Sequence, residues 1–188
     1  VVEIRTHGRG GQGAVIASKV LANALFRENR FIQAFPAFGV ERRGAPVVAF
    51  TRFDSVPIRL RCEIYEPDHL IVLDHTLTET IDVTAGLKAG GWIIINSRLE
   101  PGQFSLASSF RIATVDASAI AQQHGLGSRA APIVNTAILG AFSRATGLVG
   151  MEAVVGAIQE YVPVKPEANV KAAQDAFERV QVPQQAVL

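Results

Sequence analysis

Short apolar runs alternate with amphipathic stretches along this chain. Val2-Glu3-Ile4-Arg5-Thr6 reads as a short strand. From Gly13 to Glu28 the apolar residues Val15, Val20, Leu21, Ala24 and Leu25 share one broad face, which predicts a helix. Ala14, Ala17 and Ala22 let that helix pack closely on a sheet. Phe31 to Phe35 is strand-like, and Val47 to Phe53 alternates with β-branched and aromatic residues, which predicts another strand. A turn at Asp54-Ser55 sends Val56 to Leu60 back as a hairpin partner. His69 to Leu73 and Trp92 to Asn96 are near-continuous apolar runs, the pattern of parallel strands buried on both faces. Arg111 to Val115 is a further strand. Helices are predicted over Thr76 to Leu87, ended by Gly90-Gly91, and from a cap at Asp116 or Ser118 to His124. Pro132 to Phe142, Glu152 to Tyr161 and Glu167 to Val180 complete the helical set.

Strand and helix in alternation argue an α/β fold, a Rossmann-like sandwich with a largely parallel sheet. At 188 residues, 48% of them hydrophobic, residues 1-188 suit a single domain with one sizeable core. The 18 basic and 17 acidic residues leave a net charge of +1, which offers no global field for nucleic acid or a membrane surface. No apolar run reaches the roughly 18 residues that span a bilayer, and no leader-like pattern opens the chain, so a cytoplasmic location is expected. Cys62 stands alone, which excludes an internal disulfide or a cysteine-held cluster; a buried, inert thiol is the expectation. His7, His69, His75 and His124 do not cluster as metal ligands, and no Ser-His-Asp arrangement or G-x-S-x-G elbow is visible.

The chemistry concentrates in three places. Between the first strand and the first helix lies Gly8-Arg9-Gly10-Gly11-Gln12-Gly13. Strand, glycine turn and helix together aim backbone N–H groups and a helix dipole at an anion, a diphosphate above all. The P-loop pattern fails, because no Gly-Lys-Ser/Thr follows. NAD is also disfavoured: the next strand-like run ends in Phe35-Pro36 and not in an acidic residue that could hold ribose hydroxyls. A tight turn with no ligand is the plain alternative. The second place is an irregular stretch from Phe35 to Pro46, where Arg42 and Arg43 stand side by side before Gly44. Paired arginines suit a phosphate, or a solvated basic turn. The third is Asn135-Thr136 near the start of an apolar helix, where Asn135 could cap the helix or reach into a cleft. Ligands on parallel sheets bind beyond the carboxyl ends of the strands, which gathers the glycine loop, Asp74, Asn96 and Asp116 at one edge.

Taken in order, Gly8-Arg9-Gly10-Gly11-Gln12-Gly13, then Phe35-Pro36-x-Phe38-Gly39-x-Glu41-x-Arg43-Gly44, then Pro132-x-x-Asn135-Thr136-x-x-Leu139-Gly140 resemble the gamma subunits of 2-oxoacid:ferredoxin oxidoreductases. The likeness runs from residue 2 to about residue 175, and Gly39 to Pro46 is closest to the pyruvate (pyruvate synthase) type. The resemblance implies part of an enzyme: a chain that presents coenzyme A, as co-substrate, to an intermediate on thiamine diphosphate. Thiamine diphosphate and the iron–sulfur clusters would sit in alpha, beta and delta partner subunits, with ferredoxin taking the electrons. This chain has neither a Gly-Asp-Gly…Asn thiamine motif nor a cysteine-rich cluster motif. Carried over, Gly8 to Gly13 would cradle the coenzyme A phosphates, Arg42 or Arg43 would neutralise them, and Asn135 would bond the pantetheine arm or the nucleotide. Two other readings stay open: a stand-alone nucleotide-binding oxidoreductase domain, and a scaffold subunit without a ligand, as in oxalate-type enzymes that do not use coenzyme A.

Overall fold

A computed structural model of the chain describes residues 1–37 and 42–183. Phe38, Gly39, Val40 and Glu41 of the second motif lie outside the described residues. Six strands form one sheet: β1 (Val2–Arg9), β2 (Phe31–Pro36), β3 (Pro46–Asp54), β4 (His69–Val72), β5 (Trp92–Asn96) and β6 (Arg111–Val115). Their order across the sheet is β2-β3-β1-β4-β5-β6. β1, β4, β5 and β6 pair in parallel, whereas β3 runs antiparallel to both its neighbours.

The strand alternation sorts side chains between two layers. Ile4, Ile71, Ile94 and Ala113 point to the larger core. That face is covered by α1 (Ala14–Arg27) and by four later helices, which are α3 (Ala117–Gln123), α4 (Ala137–Thr146), α5 (Met151–Tyr161) and α6 (Pro166–Arg179). Leu70, Val72, Ile93, Ile95 and Ile112 point the other way, to a smaller core closed by Leu77, Val83 and Leu87. Gly140 belongs to the third sequence motif, and its role is packing: an added Cβ would run into the Ala173 carbonyl of α6.

Four expectations fail. The helix expected over Thr76 to Leu87 is the single turn α2 (Leu77–Thr80). The segment is rich in β-branched residues, and its side chains compete for the backbone. Thr78 and Thr80 hydroxyls donate to the carbonyls of His75 and Thr76, and Asp82 accepts from the Thr84 N–H and hydroxyl. The hairpin partner expected at Val56 to Leu60 forms no strand; β3 pairs with β2 instead. Side chains of the sheet hold that stretch: Gln33 donates to the Ile58 and Leu60 carbonyls, and Arg52 to the Cys62 carbonyl. Arg52 is fully buried, with its Nε on Glu3 at 2.7 Å and its guanidinium over Phe35. Cys62 is exposed rather than buried. The helix expected from Pro132 starts at Ala137, because residues 128–133 fold into a turn and a bridge between Gly127 and Pro132.

Candidate functional site

The carboxyl ends of β1, β4 and β5 open onto a cleft of about 680 Å³. It gathers the glycine loop, Asp74, Asn96 and Asp116 as the sheet rule requires. Arg43, His75, Ser97, Arg98 and residues 130–134 complete its walls.

The loop and the arginine turn meet through their backbones. The Gly10 N–H donates to the Ala45 carbonyl at 2.9 Å, and the Gly44 N–H to the Gly10 carbonyl at 3.0 Å. An added Cβ at Gly10 would strike the Arg42 carbonyl, so only glycine lets the two segments close. Gly13 caps α1 in the left-handed region, at φ 80°, and its Cα side faces the Asn135 amide. Among the described residues, the N–H groups of Gly11 and Gly13 find no acceptor. The loop is partly self-satisfied elsewhere: Gln12 accepts the Arg9 N–H at 2.7 Å, and Ala45 takes that of Gly10.

Arg9 works inward. Its guanidinium donates to Asp74 at 2.9 Å, to the Gly44 carbonyl and to the Thr76 hydroxyl. Gln12 donates to the same Asp74 oxygen at 3.2 Å, while the other oxygen accepts from the Thr76 N–H and hydroxyl. Burial alone would raise the Asp74 carboxyl, but the bonds from Thr76, Arg9 and Gln12 outweigh it and hold its pKa below the ordinary carboxylate value. Arg9 and Asp74 thus tie together the glycine loop, the arginine turn and the start of α2.

Gly10, Gly11, Gln12 and Arg43 therefore share the cleft wall. Gly8 packs beneath it against Leu73 and Ala14, and Arg42 is exposed away from it. Asn135 does not cap α4; the cap is Thr136, whose hydroxyl donates to Asn169 at 2.6 Å. Asn135 is 4% exposed, and its Oδ1 is a buried acceptor without a partner among the described residues. This orphan sits against Gly13 of the glycine loop, and Asn135 is not among the residues that line the cleft. Asn96 is consumed structurally: its amide donates to the Leu73 carbonyl and pairs with Ser118.

Arg98 was not singled out from the sequence. It follows β5 by two residues, so the strand-end rule is the signal that would have found it. Its Nε donates to Asp116 at 2.9 Å while 79% of its side chain stays exposed. Asp116 also accepts the Ala119 N–H as the cap of α3 (Ala117–Gln123), as expected for that residue. Both cleft carboxylates are thus paired with arginines, and among the described residues Arg43 has no ion-pair partner.

Comparison with known proteins gives this cleft its setting. The sequence profile of the pyruvate ferredoxin/flavodoxin oxidoreductase family matches residues 3–179. The chain is 52% identical over 187 residues to the pyruvate/ketoisovalerate oxidoreductases common subunit gamma of Thermococcus kodakarensis, covering 97% of this chain and 98% of that one. It is 46% identical over 182 residues to the pyruvate synthase subunit PorC of Methanothermobacter thermautotrophicus, covering 96% and 97%. The crystal structure of the pyruvate oxidoreductase subunit PORC of Thermotoga maritima superposes with a TM-score of 0.81 at 33% identity, over 97% of this chain and 98% of that one. The chain belongs to the pyruvate ferredoxin/flavodoxin oxidoreductase family, as a subunit of the gamma type.

Proposed function

We propose that this chain, as one domain, binds coenzyme A in the cleft and presents its thiol to a reaction centre on partner subunits, with pyruvate as the 2-oxoacid. The carrying observation is that backbone bonds bring Arg43 onto the glycine loop, so one cation and the open Gly11 N–H face the same space. The N-terminal end of the 14-residue helix α1 adds its dipole there. A diphosphate satisfies all three. Arg42, the other cation of the turn, lies off the cleft, so Arg43 neutralises the phosphates, and the unpartnered Asn135 Oδ1 beside Gly13 accepts from an amide or hydroxyl of the ligand.

Thiamine diphosphate and iron–sulfur clusters on alpha, beta and delta chains supply the decarboxylation and electron transfer, with ferredoxin as acceptor. The contribution of this chain is positional: a thiol held at a reaction centre acts at an effective concentration far above its bulk value. The complex is assigned to the cytoplasm; no helix among the described residues is long and apolar enough to cross a membrane. Isothermal titration of coenzyme A into the chain, alone and with its partners, tests the reading, and heat in either case supports it. A scaffold without a ligand is the competing reading, favoured by the two loop N–H groups already taken by Gln12 and Ala45. Absence of heat in both titrations would decide for the scaffold.

A further inference from the structure

The cleft has a second cationic wall, and we infer that Arg98 reads a second anionic group on the ligand, the 3′-phosphate that distinguishes coenzyme A from its dephospho form. This inference rests on the coenzyme A reading of the site. Arg98 and the glycine loop line the same cavity. The loop follows β1 and Arg98 follows β5, with β4 between them. Two strand spacings put these walls roughly 10 Å apart. A ligand with one diphosphate needs one such wall. A ligand that also carries a separate ribose phosphate spans both.

The charges agree with this division. Asp116 would repel a phosphate if it were free, but one oxygen accepts the Ala119 N–H and the other the Nε of Arg98. That pairing uses one edge of the guanidinium. Among the described residues, its terminal Nη groups make no bond. Arginine presents such nitrogens as a planar fork that matches two phosphate oxygens. Asp74 is likewise saturated, by Thr76, Arg9 and Gln12. The exposed side chain of Arg98 makes its substitution harmless to the core.

The test titrates coenzyme A and dephospho-coenzyme A into the assembled complex carrying wild-type chain, Arg98→Gln, Arg98→Lys or Arg43→Gln. Wild type should prefer coenzyme A by about tenfold or more, the range of one charge-assisted contact. Arg98→Gln should lose most of that preference by weakening coenzyme A alone, leaving dephospho-coenzyme A within about twofold. Arg98→Lys should restore part of it, and Arg43→Gln should weaken both ligands. If Arg98→Gln weakens both ligands equally, or keeps the wild-type preference, the inference is overturned while the reading of the site stands. If wild type binds neither ligand, both fall.

Discussion

Substituting Gly10 by alanine tests whether contact between the glycine loop and the arginine turn creates the site. A Cβ at Gly10 would lie 2.9 Å from the Arg42 carbonyl carbon and 3.3 Å from the Arg43 Cα, with the Arg42 oxygen closer still. Comfortable carbon–carbon contact begins near 3.5 Å, so the turn must retreat by about 0.6 Å or more. That movement stretches the Gly10–Ala45 and Gly44–Gly10 backbone bonds, now 2.9 and 3.0 Å, beyond useful length. At about 1 kcal/mol each, the two bonds cost about 2 kcal/mol of stability. The same retreat takes Arg43 away from the loop amides. Loss of one charge-assisted contact, about 1.5–3 kcal/mol, raises the KM for coenzyme A by about 10- to 150-fold. The assay measures that KM in the reassembled complex beside 2-oxoacid decarboxylation without coenzyme A, which should stay near wild type. Gly147→Ala is the control: its φ of 64° strains alanine, nothing lies within 4 Å, and it is remote from the cleft. It should lose about 1 kcal/mol of stability with no change in KM. A Gly10→Ala complex that assembles and keeps its KM within twofold would refute the idea that this contact places Arg43.

Arg43→Ala should raise the KM for coenzyme A by about tenfold or more and spare decarboxylation in its absence; equal loss of both activities would place Arg43 at a subunit interface instead. Asp74→Asn keeps the shape but weakens the bonds from Arg9 and Gln12, so urea unfolding should show a loss of about 2 kcal/mol, accompanied by a higher KM for coenzyme A. His7 is buried, its Nε2 accepts from Arg5, and its pKa is lowered to about 3, first by burial and then by the Arg5 charge. The folded state therefore binds fewer protons than the unfolded one between about pH 6.5 and pH 3, so stability is full above that window and falls as pH drops through it. From pH 6.5 to 5.0 the loss is about 2 kcal/mol, at about 1.4 kcal/mol per unit. His69 is shifted in the same direction, chiefly by burial, so the wild-type loss should be compared with His7→Gln, and parallel pH profiles for the two proteins would reject the assignment. Arg52→Met leaves Glu3 without its buried partner and should destabilise the chain by about 3–5 kcal/mol in urea unfolding.

Local pattern was enough for much of this molecule. The runs Leu-Ile-Val-Leu after His69 and Ile-Ile-Ile after Trp92 are apolar on both faces, and only a central parallel strand buries both. Strand, glycines and helix at residues 2–27 specify their own geometry, because left-handed backbone and a helix start are local properties. The same rule for strand ends placed Asp74, Asn96 and Asp116 on one rim. What depended on distant partners could not be read this way. Gly10 looks like a ligand glycine in sequence, yet it faces a backbone 32 residues away, at Arg42. Arg9 and Gln12 look like phosphate ligands, yet Asp74 claims both. Val56 to Leu60 has the composition of a strand, but both edges of β3 are taken, by β1 and β2, so the expected hairpin with β3 has nowhere to pair. The chain alone determines its layers and the rim where chemistry belongs. Only long-range hydrogen bonds and packing decide which rim residues are spent on holding the site together and which are left to meet a ligand.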